Sequence, residues 1–318
     1  MRDQKHRILV VRLGAMGDVI HALPAVSTLR ASYPDSEITW IVDPKWAPLL
    51  AGNAAVDRVI AFNRRDLASI RGAVRALRQS HFDVAFDMQG LIKSALLPVF
   101  AGCARRIGFD RSEVREKLAA LFYTESFTTS SAHVAEKNIE LAAQAGATTV
   151  DRASPLPAGR AEGKLPDGPF VLACPIAGWT SKQWPREYFS ELAALIAPMP
   201  LVVNGAPANE SDLRAIHGVQ VHLSGIEGLL NATRCAWAVV GVDSGPLQIA
   251  GAMGKPGVAI FGPTDSARNG PLGRTIRVLR AADAETTYKR DNAIAASMRA
   301  VTPQMVAAAL RLAAGIPG

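Results

Sequence analysis

Only 3 cysteines occur in the 318 residues, at Cys103, Cys174 and Cys235. An odd number placed so far apart argues against a disulfide frame and points to a reducing compartment. None has zinc-ligand spacing, and the 6 histidines have no metal spacing either. No apolar run approaches the ~18 residues needed to span a bilayer. The charged N-terminus, MRDQKHR, lacks the apolar stretch of a signal peptide, so the chain reads as cytoplasmic. Gly-x-Ser-x-Gly and Walker A motifs are missing, as are solenoid repeats and low-complexity tracts. What is present is globular: 49% apolar and 20% charged residues. A net charge of +7 and a pI near 9.6 imply an acidic partner, which could be nucleic acid, an anionic membrane or a phosphorylated substrate. Arg64-Arg65, Arg71, Arg75, Arg78, Arg105-Arg106, Arg111 and Arg115 give a basic first half, which fits a solvated face equally well.

Short β-branched runs alternate with helical patterns. Strands are expected near 8–11, 38–42, 59–60, 84–86, 170–174, 201–203, 238–242 and 258–261, with helices between them. Such alternation predicts α/β structure with parallel sheets covered on both faces. Residues 151–169, DRASPLPAGRAEGKLPDGP, hold four prolines and three glycines and read as a linker. The expected layout is therefore two doubly wound, Rossmann-like domains facing across a cleft, with residues 1–155 as the first. A linker at 156–168, a second domain at 169–302 and a helix at 303–318 follow. That last helix could pack back on the first domain. Residues 96–104 suit a buried element better than a membrane contact, because they are short and contain Pro98.

Four stretches carry possible chemistry, each where a strand yields to a helix. RLGAMGDVIHALP, residues 12–24, has Gly14 and Gly17 but not the third glycine of a dinucleotide fingerprint. Asp18 stands where a pyrophosphate would sit and would repel it. It is either a helix-terminus residue, stabilised by ~0.3–1 kcal/mol, or a general base. In AVVGVDSGPLQ, residues 238–248, the N–H groups of Ser244 and Gly245 could meet an anion at a helix N-terminus, with Pro246 at the first helical position. Asp243 could equally be only the cap. PIAGWTSKQWP, residues 175–185, offers Lys182 as a point charge for a phosphate, or as a plain loop lysine. FDVAFDMQGLIKS, residues 82–94, sets Gln89 and Lys93 at the first domain's rim, or is only turn chemistry.

Together these stretches resemble glycosyltransferase family 9, the ADP-heptose:lipopolysaccharide heptosyltransferases. Met16-Gly17-Asp18 with Leu23-Pro24 matches an MGD followed by a proline-closed helix. Pro175 to Pro185 matches P-x-A-x-W-x-x-K-x-W-P. Asp243-Ser244-Gly245 matches D-[ST]-G, and Gly262-Pro263-Thr264-Asp265 follows as GPTD. The resemblance spans residues 7–271. DMQGLIKS and REKLAALFY, residues 87–94 and 115–123, look like the branch that adds the first heptose to the Kdo region, heptosyltransferase I.

The resemblance implies a GT-B fold, inversion at the anomeric carbon, and no metal or other cofactor, with ADP-heptose as substrate. It also implies an acceptor of Kdo–lipid A type on the first domain and a nucleotide sugar on the second. Asp18 becomes the base and Lys182 the cation on the departing diphosphate. Gly178, Thr180, Ser181, Asn209, Glu210, Ser224, Asp243, Ser244, Gly245 and Gln248 become donor-binding. Gly17, Arg64, Arg65, Gln89, Lys93 and Arg115 become acceptor-binding. The implied setting is a monomer at the anionic inner face of the cytoplasmic membrane, with no nucleic-acid partner. Gln248 departs from the family, which usually has His there. Alternatives are heptosyltransferase II, a relative with another sugar or acceptor, a Rossmann oxidoreductase, and a non-catalytic basic nucleotide- or lipid-binding protein.

Overall fold

The computed structural model describes residues 6–316. The chain divides into two compact units, Met1–Pro157 and Ala158–Gly318. In the first, β1 (Arg7–Val11), α1 (Met16–Ser32) and β2 (Glu37–Val42) lead to β3 (Arg58–Ala61) and α2 (Leu67–Ser80). Then come β4 (Val84–Asp87), α3 (Ile92–Phe100), β5 (Arg105–Phe109), β6 (Glu125–Phe127) and α4 (Val134–Gln144). The second unit opens with β7 (Val171–Cys174), α5 (Arg186–Leu195), β8 (Leu201–Gly205) and α6 (Glu210–Arg214). β9 (Gln220–Leu223), α7 (Ile226–Cys235), β10 (Ala238–Val242) and α8 (Gly245–Ala252) follow. β11 (Gly257–Phe261), α9 (Ser266–Asn269), β12 (Ile276–Arg280), α10 (Ala296–Arg299) and α11 (Pro303–Ala314) complete it.

Both sheets have six strands, all parallel, in the orders β3-β2-β1-β4-β5-β6 and β12-β11-β10-β7-β8-β9. Counted from each unit's first strand, the two orders are the same doubly wound one. Each reverses direction once, between β1 and β4 and between β7 and β10. In open α/β sheets, ligands bind beyond the carboxyl ends of the strands at that reversal. The topology therefore singles out the loops after β1 and β4, and those after β7 and β10.

The central strands β1, β4, β7, β10 and β11 are buried almost throughout, as expected for parallel strands covered on both faces. Four strands escape the periodicity. RRIGF of β5 starts with two arginines, ESF of β6 is short, and QVHL of β9 and IRVLR of β12 are edge strands with charged or polar positions.

α11 packs within its own unit: Val306, Ala307, Ala309 and Leu310 lie in the second unit's core with Trp184, Phe189 and Ile260. Trp184 fixes this corner by donating to the Val301 carbonyl at 2.7 Å, and Trp237 donates to that of Ala314 at 2.8 Å. The linker is also more fastened than its composition suggests. Asp151 exchanges hydrogen bonds with Thr28, and Asn53 donates to Pro155 O. Further on, Arg160 N–H reaches Glu227 O, and the Glu162 carboxylate accepts from Gly225 N–H at 2.7 Å. Cys103, Cys174 and Cys235 are free thiols, and burial pushes Cys174 up to about 12.

Candidate functional site

In the first unit, Val11 pairs with Asp87 at the carboxyl ends of β1 and β4. The two following loops are stitched together by side chains. Arg12 donates through Nη1 to the Met88 carbonyl, and Gln89 Oε1 accepts from Leu13 N–H at 2.7 Å. Trp40, buried in β2, donates to Arg12 O at 3.1 Å. Gly14 is required here: its φ is +152°, and a Cβ would fall 2.6 Å from Trp46 Nε1.

Asp18 is the third residue of α1, and its Oδ2 accepts from the Ala15 N–H at 3.1 Å. Its Oδ1 receives Arg12 Nη2 at 2.8 Å. Desolvation alone would raise this carboxyl. The Arg12 guanidinium, the Ala15 N–H and nearby His21 outweigh it and hold Asp18 below the usual carboxylate value. Asp18 is thus a helix cap and a fixed, ionised carboxylate at once. A carboxylate has about four lone-pair sites, so two bonds leave it able to accept a third. Arg12 was invisible to motif reasoning because its partners are on β4's loop and α1. Substituting Arg12→Gln removes the cation, so the Asp18 carboxyl carbon should titrate at higher pH than in wild type by NMR. An unchanged titration would show that Arg12 does not govern it.

Around this carboxylate the first-unit expectations divide. Gln89 is half-buried and braces the Leu13 backbone instead of standing open at the rim. Gly17 lies in the first turn of α1. Lys93, at the start of α3, titrates below its usual value because of partial burial and the like charges of Arg64 and Arg115, with Glu116 opposing. The cations of two loops, Arg64 and Arg115, thus act on a lysine of α3, and Arg65 shares the exposed loop of Arg64. Below them Asp87 is buried, accepting from Ser94 Oγ at 2.8 Å, Tyr123 Oη at 2.7 Å and Gln89 N–H at 2.9 Å. Burial raises its carboxyl despite these bonds. Pro24 lies inside α1 and does not close it.

In the second unit the equivalent pair of loops is tied by Lys182 Nζ to Asp243 Oδ2 at 2.9 Å, with side chains 14% and 12% exposed. Asp243 is therefore not the helix cap. That position belongs to Ser244, whose side chain makes no capping bond, and Gly245 and Pro246 open α8. The hydroxyls of Ser181 and Ser244 are buried with no hydrogen-bond partner among the described residues. Lys182 also lies 4.8 Å from the Trp179 ring, and Arg290 sits 5.3 Å from the same ring. Arg290 comes from the weakly patterned stretch after β12, which returns to this loop by Ala295 N–H donating to Ser181 O at 3.3 Å. Gly178 is exposed beside Thr180, and nothing lies within 4 Å of where its Cβ would be.

Other donor-side expectations are redirected. Gln248 is 2% exposed, and its Nε2 donates to Asn269 O at 2.9 Å, so it ties α8 to α9. Ser224 Oγ accepts from Asn204 Nδ2 at 2.8 Å and is buried at the end of β9. Glu210 pairs with Arg214 one helical turn on, at 2.7 Å, while Asn209 precedes it at the end of the short turn Pro207–Asn209 that follows β8. Among the described residues, no group of three or more His, Cys, Asp or Glu could hold a metal ion.

The sequence model of glycosyltransferase family 9 (heptosyltransferase) matches residues 70–296. The chain belongs to glycosyltransferase family 9. It resembles the lipopolysaccharide heptosyltransferase 1 of Pseudomonas aeruginosa, 30% identical over 300 residues, which are 85% of this chain and 82% of that protein. The lipopolysaccharide heptosyltransferase 2 of Escherichia coli is 26% identical over 340 residues, 94% of this chain and 96% of that one. Among solved structures, E. coli heptosyltransferase WaaC with ADP-2-deoxy-2-fluoro heptose is similar at a TM-score of 0.76. It is 26% identical, and the match covers 94% of this chain and 97% of that one. The two like-wound units of this family 9 glycosyltransferase are those of the GT-B class. No described helix is long and apolar enough to cross a membrane.

Proposed function

We propose that this family 9 glycosyltransferase moves a heptose from ADP-L-glycero-D-manno-heptose to the Kdo region of the lipopolysaccharide inner core, as heptosyltransferase I. The observation that carries the reading is the pairing of Lys182 with Asp243 beside two buried hydroxyls, where the second sheet reverses. A lysine has three donors, so one bond to Asp243 leaves two for a diphosphate. The α8 N-terminus adds free N–H groups and a partial positive charge.

The first unit takes the acceptor, with Arg64, Lys93 and Arg115 meeting its acidic groups. The acceptor hydroxyl attacks the anomeric carbon opposite the diphosphate, and its proton passes to the Asp18 carboxylate. The new C–O bond forms as the bond from the anomeric carbon to the diphosphate oxygen breaks, and the electron pair stays on the departing ADP. Inversion follows from the single displacement. Lys182 stabilises the charge that grows on the leaving oxygen. The step needs no cofactor.

Thermal unfolding with ADP, UDP, GDP and CDP tests the donor side. ADP should raise the midpoint most, equivalent to about 2.7 kcal/mol at a hundred times its Kd. A preference for UDP would overturn the ADP-heptose assignment. Offering an acceptor that already carries one heptose separates the two branches: better transfer to it than to the unheptosylated acceptor would make the protein a heptosyltransferase II.

A further inference from the structure

We propose that the face formed by α3 and the turn Lys117–Phe122 docks the protein on an anionic phospholipid bilayer. The two elements pack against one another, and each leaves large apolar side chains exposed. That surface is apolar where a surface helix should be polar. Leu121 is 71% exposed, Leu118 56%, Phe100 44% and Val99 39%. The neighbouring Leu97, Pro98 and Ala101 are buried while Val99 and Phe100 are exposed, so the end of α3 has both an inner and an outer apolar side. Soluble monomers rarely leave such a patch without a use.

Its rim is basic. Lys93, at the start of α3, feels the positive charges of Arg64 and Arg115, and Arg115 is exposed just ahead of the turn. At the end of α3, Arg78 of α2 donates to the Phe100 carbonyl at 3.2 Å. Arg71, Arg75 and Arg78 are spaced four and three apart, which puts them on one exposed stripe of α2, and Lys117 is exposed beside Leu118. The carboxylates acting on Lys93 are Asp43 and Glu116, and Glu116 is engaged in accepting the Ile92 N–H at 2.7 Å. Apolar side chains within a cationic rim suit an interface of acyl chains and anionic headgroups. A second copy of the chain fits worse, because self-pairing would set the two basic rims against each other.

The inference rests on the proposed acceptor only in that this acceptor is anchored by lipid. Its test needs no sugar. Wild type should float with vesicles of phosphatidylcholine plus phosphatidylglycerol, less so with added salt, and weakly with phosphatidylcholine alone. A Leu118→Ser/Leu121→Ser variant should partition at least about tenfold more weakly. Its melting midpoint and its transfer to a soluble, deacylated acceptor should be unchanged. In a separate Leu121→Trp variant, the tryptophan emission should shift to the blue on the anionic vesicles. The proposal is overturned if wild type ignores those vesicles, if the serine variant binds them equally, or if that emission stays put. It is also overturned if the serine substitutions split a dimer into monomers. Intact vesicle binding without any heptose transfer would sink the proposed function and leave the docking surface standing.

Discussion

Asp18→Asn should lower kcat by ~10²–10⁴, the loss expected when a general base is removed, with little change in ADP binding. The substitution keeps the shape of the side chain. Its carbonyl oxygen can still accept the Ala15 N–H that caps α1, at a cost of ~0.3–1 kcal/mol for the lost charge at the helix end. Arg12 loses its ionic partner but keeps the Met88 carbonyl. The loops proposed to bind the donor are on the other unit, so a thermal shift with ADP should match wild type and separate a lost base from a damaged fold. Retention of transfer within ~10-fold of wild type would remove Asp18 from the base's role. The pH dependence has a definite sign. Asp18 titrates below its unfolded value of about 3.9, so it is ionised at neutral pH. Activity that needs the carboxylate is present above its folded value and falls as pH drops through it. The stability that Asp18 contributes follows the same course, present above the unfolded value and lost on acidification through the folded one.

The order of the site loops was legible because each is local punctuation. An apolar strand stops, glycine and proline turn the chain, and a helix begins, as at Gly14–Asp18 and Asp243–Pro246. The conflict between Asp18 and a bound pyrophosphate could also be read there, since it follows from charge alone. Partner choice could not be read. Arg12 and Gln89 differ little in sequence from solvated loop residues, yet the β1–β4 neighbourhood aims both into the loops. Gln248 has a side chain long enough to face a ligand or to reach Asn269, and only the placement of α9 decides it. Arg290 lies in a stretch without periodicity, and it acquires meaning from the Trp179 ring that it meets. The same limit hid the edge strands. β6 and β12 have too little buried surface to impose a pattern, because pairing holds them from one side only.

Lys182→Met should cost ~10²–10³ in kcat/KM if, as proposed, Lys182 is the donor that meets the charge growing on the leaving diphosphate. The change also leaves Asp243, 12% exposed at the side chain, without its cation. Breaking a buried pair from one side can destabilise by about 3–5 kcal/mol, so lost activity in this variant alone proves nothing about chemistry. The double variant Lys182→Met/Asp243→Asn resolves the ambiguity. It removes both charges and should regain much of the melting midpoint while staying as inactive as the single variant. Full recovery of transfer in the double variant would mean that the pair only holds the loops after β7 and β10 together. Lys182→Arg discriminates further. It keeps the charge but replaces a compact ammonium by a planar fork, so it should preserve the fold and recover only part of the rate. Arg290, on the same indole, can supply some positive charge when Lys182 is lost, which sets the expected loss nearer ~10² than the upper limit.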